Sequence, residues 1–145
     1  MLLRKAQMED ALKALEWRND ETTRKNSFNH ELITEDDHIK WFEKKLSDTS
    51  CMMYILDDEE MPSGSIRVDI AGDVGEISYM IAPEKRGKGY GALVLGLLEK
   101  ELKGQKIRTL VGFVNEDNVA SAKCFEKNGY IRLNAGGIYC FIKNI

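Results

Sequence analysis

Residues 76–103 constrain the fold of this 145-residue chain more than any other stretch. An apolar strand candidate, Glu76-Ile-Ser-Tyr-Met-Ile81, runs into the turn Ala82-Pro83-Glu84-Lys85. The run Arg86-Gly87-Lys88-Gly89-Tyr90-Gly91 follows and opens a helix over residues 92–103. Three closely spaced glycines leave backbone N–H groups unobstructed, and a helix start lines up more of them behind the positive end of its dipole. A strand, a glycine turn and a helix in that order predict a cradle for a phosphate or pyrophosphate, with Lys85, Arg86 and Lys88 attracting the anion from a distance.

Spacing decides which kind of cradle this is. A P-loop ends in Gly-Lys-Ser/Thr, whereas Lys88 is followed by Gly89. A dinucleotide fingerprint matches Gly87, Gly89 and Ala92, with Glu116 and Asp117 as its acidic partners. Its glycines, however, lie beyond a proline and several charges, and too little chain follows to complete a doubly wound sheet. A glycine-rich turn that merely caps a helix needs no ligand at all. The residues further on supply a third ligand-binding reading.

Arg86-x-x-Gly89-x-Gly91, preceded by a strand and a proline, resembles the acyl-CoA-binding motif of the GNAT superfamily of N-acetyltransferases. Downstream, Asn118-Val-Ala-Ser121-Ala-Lys-Cys-Phe125-Glu-Lys127-Asn-Gly129-Tyr130 resembles that superfamily's second signature, N-x-x-[AS]-x-x-x-Y-x-K-x-G-F. Two motifs in the right order are more specific than either alone, and together they span roughly the C-terminal half. The resemblance implies an α/β fold: a central mixed, mostly antiparallel sheet with two splayed parallel strands and helices on both faces. It implies acetyl-CoA (coenzyme A) as donor and a single acyltransferase domain over residues 1–145. By the same resemblance, backbone groups of Tyr79, Met80 and Ile81 pair with the pantetheine amides. Amides from Arg86, Gly87, Lys88, Gly89, Tyr90 and Gly91 hold the pyrophosphate, while Asn118, Ser121 and Phe125 lie along the pantetheine arm. Asn118 also reads as a helix cap, and Ser121 as a residue facing either the arm or solvent.

Composition narrows the remaining classes. Hydrophobic residues at 43% and charged residues at 31% suit one soluble globular domain large enough to bury a core. A net charge of −3 argues against a general nucleic-acid binder. Cys51, Cys124 and Cys140 are odd in number and lack C-x-x-C spacing, and His30 and His38 are the only histidines, so neither a disulfide framework nor a metal site is expected. Without a signal peptide or an apolar run of about 18 residues, the chain reads as cytoplasmic, with no membrane partner.

Hydrophobic periodicity gives the other elements. Residues 2–6 read as a strand, and Met8, Ala11, Leu12 and Leu15 as the apolar face of a helix ending near Trp17-Arg18-Asn19-Asp20. Residues 21–32 are polar and read as a loop or irregular helix. Thr34 caps a second helix with Asp37 three residues on, whose apolar surface comes from Ile39, Trp41, Phe42 and Leu46. Strands over residues 52–56, 65–70 and 74–81 make an antiparallel meander, with residues 57–64 and 71–73 as turns. After the cradle helix, with Leu93, Val94, Leu97, Leu98 and Leu102 on its apolar face, come a strand over 107–114, a helix from Asn118 to Lys127 and a C-terminal hairpin around residues 134–137. Gly96 in mid-helix suggests a close packing contact.

Acetyl transfer to an amine requires a base, an oxyanion donor and a proton for the departing thiolate. Glu76 at the start of the cradle strand is the candidate base, directly or through water, and a solvated strand residue is the alternative. Asp69, Asp73 and His30 are further candidates. A backbone N–H near Met80 is the oxyanion donor by analogy. The acid departs from the family pattern, because Phe125 occupies the tyrosine position and has no proton to give. Either the thiolate leaves unassisted, or Tyr139 or Ser121 donates, or the protein is a non-catalytic acyl-CoA-binding module. Tyr139 also reads as a packing aromatic, and Cys124 as a buried helix thiol.

The segments Trp17-Arg18-Asn19-Asp20 and His38-Ile-Lys-Trp41-Phe42 resemble a GNAT subgroup whose members acetylate amino-sugar nucleotides or the N-termini of ribosomal proteins. The resemblance places Trp17, Arg18, Asn19, His38 and Trp41 in the acceptor pocket, an arginine for phosphate or carboxylate and an aromatic for a sugar face. Trp17 and Trp41 read equally as core residues. The expected partner is a small-molecule or peptide amine, with an amino-sugar nucleotide ahead of a peptide N-terminus. A homodimer through the C-terminal strands is expected by analogy.

Overall fold

The computed structural model describes residues 1–145. Seven strands, β1 (Leu2–Lys5), β2 (Cys51–Asp58), β3 (Met61–Ala71), β4 (Val74–Ile81), β5 (Thr109–Asn115), β6 (Ile131–Ala135) and β7 (Ile138–Asn144), form one sheet. Its spatial order is β1-β2-β3-β4-β5-β7-β6, and β4 with β5 is the one parallel pair. Helices α1 (Ala11–Asn19), α2 (Glu21–Asn26) and α3 (Glu35–Ser47) lie between β1 and β2 in the chain; α4 (Tyr90–Glu101) follows β4, and α5 (Val119–Lys127) follows β5. This is the mixed, mostly antiparallel α/β architecture that the sequence implies.

Alternation along the strands sorts side chains onto two faces. On β2, Tyr54 and Leu56 enter a core shared with Val94, Leu95 and Leu98 of α4 and Phe125 of α5, while Ile55 between them enters a second core with Ala11, Ala14 and Trp17 of α1 and Phe42 of α3. Helix starts follow local chemistry: the Thr34 hydroxyl accepts the Asp37 N–H at 3.2 Å, and the Asp20 carboxylate accepts the Thr23 N–H at 3.2 Å. The latter starts the short helix α2 within a stretch read as loop or irregular helix.

Several local readings change. In α1 the buried face is Ala11, Ala14 and Trp17, whereas Leu12 is 56% exposed. In α3 it is His38 and Phe42, and in α4 Leu95 replaces the exposed Leu93. The β2–β3 turn is only Glu59 and Glu60, both with positive φ, so Pro62 and Gly64 belong to β3. A register irregularity between Leu56 and Asp57 lies opposite Pro62, and a Cβ on Gly64 would approach the Met80 carbonyl to 2.7 Å. At Gly96 a Cβ would meet only Asn128 Oδ1 at 3.4 Å, so no backbone approaches it closely.

Candidate active site

β4 and β5 pair only from Val74–Thr109 to Ile77–Gly112, although both strands continue. Beyond Ile77 they diverge, and a cavity of about 900 Å³ opens there between the cradle, α5 and the N-terminal helices. Tyr79, Met80 and Ile81 lie on the diverging end of β4 and line it.

Gly87 and Gly89 have φ of 73° and 82°, a region that side chains with a Cβ rarely occupy. Gly89 is the N-cap of α4, no side chain caps the helix, and a Cβ on either glycine would meet nothing within 4 Å. The first-turn amides are thus open donors at the positive end of a helix, which fits a diphosphate. Gly91 serves a different purpose: a Cβ there would meet Cys124 Sγ at 2.8 Å and the Tyr79 hydroxyl at 3.5 Å.

The cations beside the cradle are largely committed to protein partners. Arg86 donates to Asp20 Oδ2 and Thr23 Oγ1, both at 2.8 Å, and Lys85 stands 3.5 Å from Asp58, which also accepts the Tyr90 hydroxyl at 2.5 Å. Burial alone raises the Asp20 carboxyl, but Arg86 and the Thr23 amide outweigh it and hold the pKa below the usual carboxylate range. These groups brace the cradle against α2 and the β2–β3 turn. Lys88 is exposed and stands outside the cavity wall, where its charge acts only at long range.

From α5, Asn118 caps the helix by accepting the Ser121 N–H at 3.3 Å, and Asn118, Ser121 and Phe125 all border the cavity. Ser121 Oγ lies 2.8 Å from the Tyr79 hydroxyl. The Phe125 ring is buried, stacks on Phe141 with centroids 5.1 Å apart, and presses its tip into the notch left by Gly112, where a Cβ would lie 2.4 Å from the para carbon.

At the opposite end, Arg18, His38 and Trp41 line the cavity. Trp41 is 38% exposed rather than core, and the Arg67 guanidinium sits 5.0 Å from its ring centroid. Arg67 also donates to Asp69 at 2.9 Å and to Ser78 Oγ at 3.3 Å. Two acceptor candidates lie elsewhere. Trp17 is 1% exposed inside the smaller core, and Asn19 clamps the Ile33 backbone through both its amide atoms at 2.9 Å.

Among the catalytic candidates, Glu76 is exposed on the same face of β4 as Ser78, one pleat short of the cavity wall. Asp69 is ion-paired to Lys45 and Arg67; burial raises its carboxyl, the two cations outweigh this, and the lowered pKa makes it a poor base. Tyr139 does not border the cavity: its ring packs edge-on against Phe141, with Arg132 4.7 Å from its centroid. The sequence reading missed Arg67 and Ser78 as wall residues. Strand alternation could have flagged Arg67, which stands between the buried Ile66 and Val68 and so must face the other side of the sheet.

The model of the "Acetyltransferase (GNAT) domain" family matches residues 1–131. The chain belongs to the GNAT acetyltransferase family. A Bacillus subtilis (strain 168) relative named "Uncharacterized N-acetyltransferase YfmK" is 28% identical over 123 residues, 84% of this chain and 80% of that protein. Two solved structures share the fold. Spermidine N-acetyltransferase from Vibrio cholerae, in complex with CoA and spermine, superposes with a TM-score of 0.87 at 16% identity, over 99% of this chain and 94% of that one. Ribosomal-protein-alanine N-acetyltransferase from Brucella melitensis gives 0.82 at 21% identity, over the whole of both chains. The protein is accordingly a GNAT-type N-acetyltransferase. No helix is long and apolar enough to cross a membrane.

Proposed function

We propose that this GNAT enzyme transfers the acetyl group to a primary amine on a small molecule that also carries an anion, with an amino-sugar nucleotide as the best match. The observation that carries this reading is Arg18. Its Nη1 is buried without a hydrogen-bond partner, it forms no ion pair, and it lines the acceptor end of the cavity. A buried, unpartnered guanidinium donor is costly unless a ligand completes it, and phosphate or carboxylate does so with charge-assisted hydrogen bonds. Burial and the neighbouring Arg24 both push the Arg18 pKa down, and an anion bound there would oppose both effects.

Arg67, Arg86 and Lys85 also border the cavity but are ion-paired to Asp69, Asp20 and Asp58, so Arg18 is the one arginine or lysine of the wall without an ion pair. The unpaired Arg18 favours an anionic group over a cation at this end of the cavity. The exposed Trp41 ring offers a flat apolar surface for a sugar or base. In this reading acetyl-CoA supplies the acyl group, held by the open amides of α4 and the diverging end of β4. Glu76 accepts the amine proton, directly or through water, and the backbone N–H near Met80 steadies the oxyanion. Self-association through the C-terminal strands is supported by the exposed Ile131 and Leu133, and sedimentation velocity tests it.

Free-thiol release from acetyl-CoA is the primary assay, run with an amino-sugar nucleotide, the parent amino sugar, peptides of different N-termini and a polyamine. The expected result is a rate with the nucleotide that Arg18→Gln weakens through KM, by about tenfold or more. Turnover only with a peptide would place the acceptor with the ribosomal-protein class. A protein that acetyl-CoA stabilises against heat but that releases thiol with no amine would instead be an acyl-CoA-binding module.

A further inference from the structure

We propose that the Tyr79 hydroxyl, anchored by Ser121, is the proton donor to the departing thiolate, in the role that Phe125 cannot fill. This rests on the acetyltransferase reading and adds a residue to its chemistry.

The surroundings of Phe125 leave no room for a hydroxyl on its ring. Its para carbon already fills the hollow at Gly112, where even a Cβ would come within 2.4 Å, and its ring is closed in by Phe141 and Tyr130 at 5.1 and 5.0 Å between centroids. A phenolic oxygen on that carbon has no room, and the side chain is core rather than catalyst. Tyr139 stands outside the cavity wall. The wedge between β4 and α5 nevertheless holds a phenol. Tyr79 rises from β4 two residues beyond the last paired position, its ring lies edge-on to Phe125 at 6.0 Å, and its hydroxyl reaches Ser121 Oγ at 2.8 Å. The strand places Tyr79 on the side of the sheet that carries α4 and α5, while Glu76 faces the other side. Acid and base candidates therefore approach the wedge from opposite faces.

The surroundings suit a donor. Gly91 of α4 supplies no side chain, which leaves room for Cys124 Sγ and the Tyr79 ring to pack against it, and Cys124 of α5 is the titratable group that faces the hydroxyl. Burial pushes the phenol pKa up, Cys124 adds to this, and the Ser121 hydrogen bond opposes it, so the group stays protonated at neutral pH. The same dry wedge destabilises a thiolate, which increases that sulfur's demand for a proton. In the transfer the amine nitrogen forms the C–N bond, the C–S bond breaks and its electron pair stays on sulfur. Sulfur takes the Tyr79 proton, the phenolate is reprotonated from solvent through the Ser121 hydroxyl, and the amine proton leaves by way of Glu76 or water.

The test reads the product complex rather than turnover. Coenzyme A is bound to wild type, Tyr79→Phe and Ser121→Ala, and its thiolate absorbance is titrated as a difference spectrum against each protein alone, which removes Cys124. A hydrogen bond from Tyr79 to the thiolate makes the bound thiol titrate lower in wild type than in Tyr79→Phe by about one pH unit, with a smaller rise in Ser121→Ala. In parallel, thiol release by Tyr79→Phe falls about a hundredfold with the acetyl-CoA-induced rise in Tm retained. Equal thiol titrations in wild type and Tyr79→Phe overturn the proposal while leaving the acetyltransferase reading intact. No stabilisation of wild type by coenzyme A overturns both. Circular dichroism of each variant checks the fold, and Ser121→Ala keeps the test valid should Tyr79→Phe misfold.

Discussion

The two sides of the sheet are built differently. The side facing α4 and α5 has a core of 17 buried residues, including the stack of Phe125 on Phe141 with Tyr130 edge-on, whereas the side facing α1 and α3 has only seven, four of them alanines. What the smaller core lacks in apolar area it replaces with polar pins: Asn19 on Ile33, His38 on the Ala11 carbonyl at 2.8 Å, and Arg86 on Asp20. The donor side thus presents backbone amides from a rigid platform, and its recognition depends little on side-chain identity. On the acceptor side recognition comes from side chains held by a few directed bonds, so substrate choice can change there without disturbing the donor site.

The sharpest way to break this contrast is Trp17→Ala. It removes the largest side chain of the smaller core and is expected to cost about 3–5 kcal/mol in denaturant unfolding. If the sides are as independent as their cores suggest, the folded fraction still gains thermal stability from acetyl-CoA while amine-dependent turnover collapses; loss of both responses would show that they melt together. Phe125→Tyr probes the larger core by overpacking. Its extra oxygen meets Gly112, an expected cost of about 1–3 kcal/mol with no gain in activity. Gly89→Val forces a β-branched residue into left-handed backbone, worth about 1–2 kcal/mol, and obstructs the cradle amides. The acetyl-CoA-induced rise in Tm should vanish while the amine site is left untouched.

The mildest effect concerns His38. Burial lowers its pKa below the ordinary 6.5, Arg18 adds to this and the Ala11 carbonyl opposes it, with the Trp41 and Phe42 rings as its other neighbours. A folded-state pKa below the unfolded one means that the unfolded chain takes up the proton first. The stability contributed by neutral His38 is therefore complete above about pH 6.5 and is lost as pH falls through the depressed folded value. Thermal scans from neutral to about pH 5 should show a steeper fall in Tm for wild type than for His38→Gln, which keeps a donor for Ala11 and cannot titrate.

The donor side was legible because its information is local. Gly87, Gly89, Pro83 and the Asn118 cap act within a turn of themselves, and their spacing alone predicts strand, cradle and helix. The acceptor side was not, for two physical reasons. Alanine carries little hydropathic signal, so the Ala11–Ala14–Trp17 face lost to the larger but exposed Leu12. Its pairs also join distant positions: Arg86 reads as a phosphate ligand until Asp20 is brought beside it, and Trp41 as core until Arg67 is. Pro62 and Gly64 were read as turn residues, since nothing local reveals that a bulge and a close approach to Met80 keep them in β3.

The fit of Phe125 against Gly112 also bears on how the sequence can change over time. A single substitution to tyrosine at 125 meets the strand at Gly112, and any side chain at 112 meets the ring, so each step alone overpacks the core. The notch couples the two positions: a side chain at 112 fits only if the ring at 125 is shortened, and a longer ring at 125 fits only if the strand at 112 moves away.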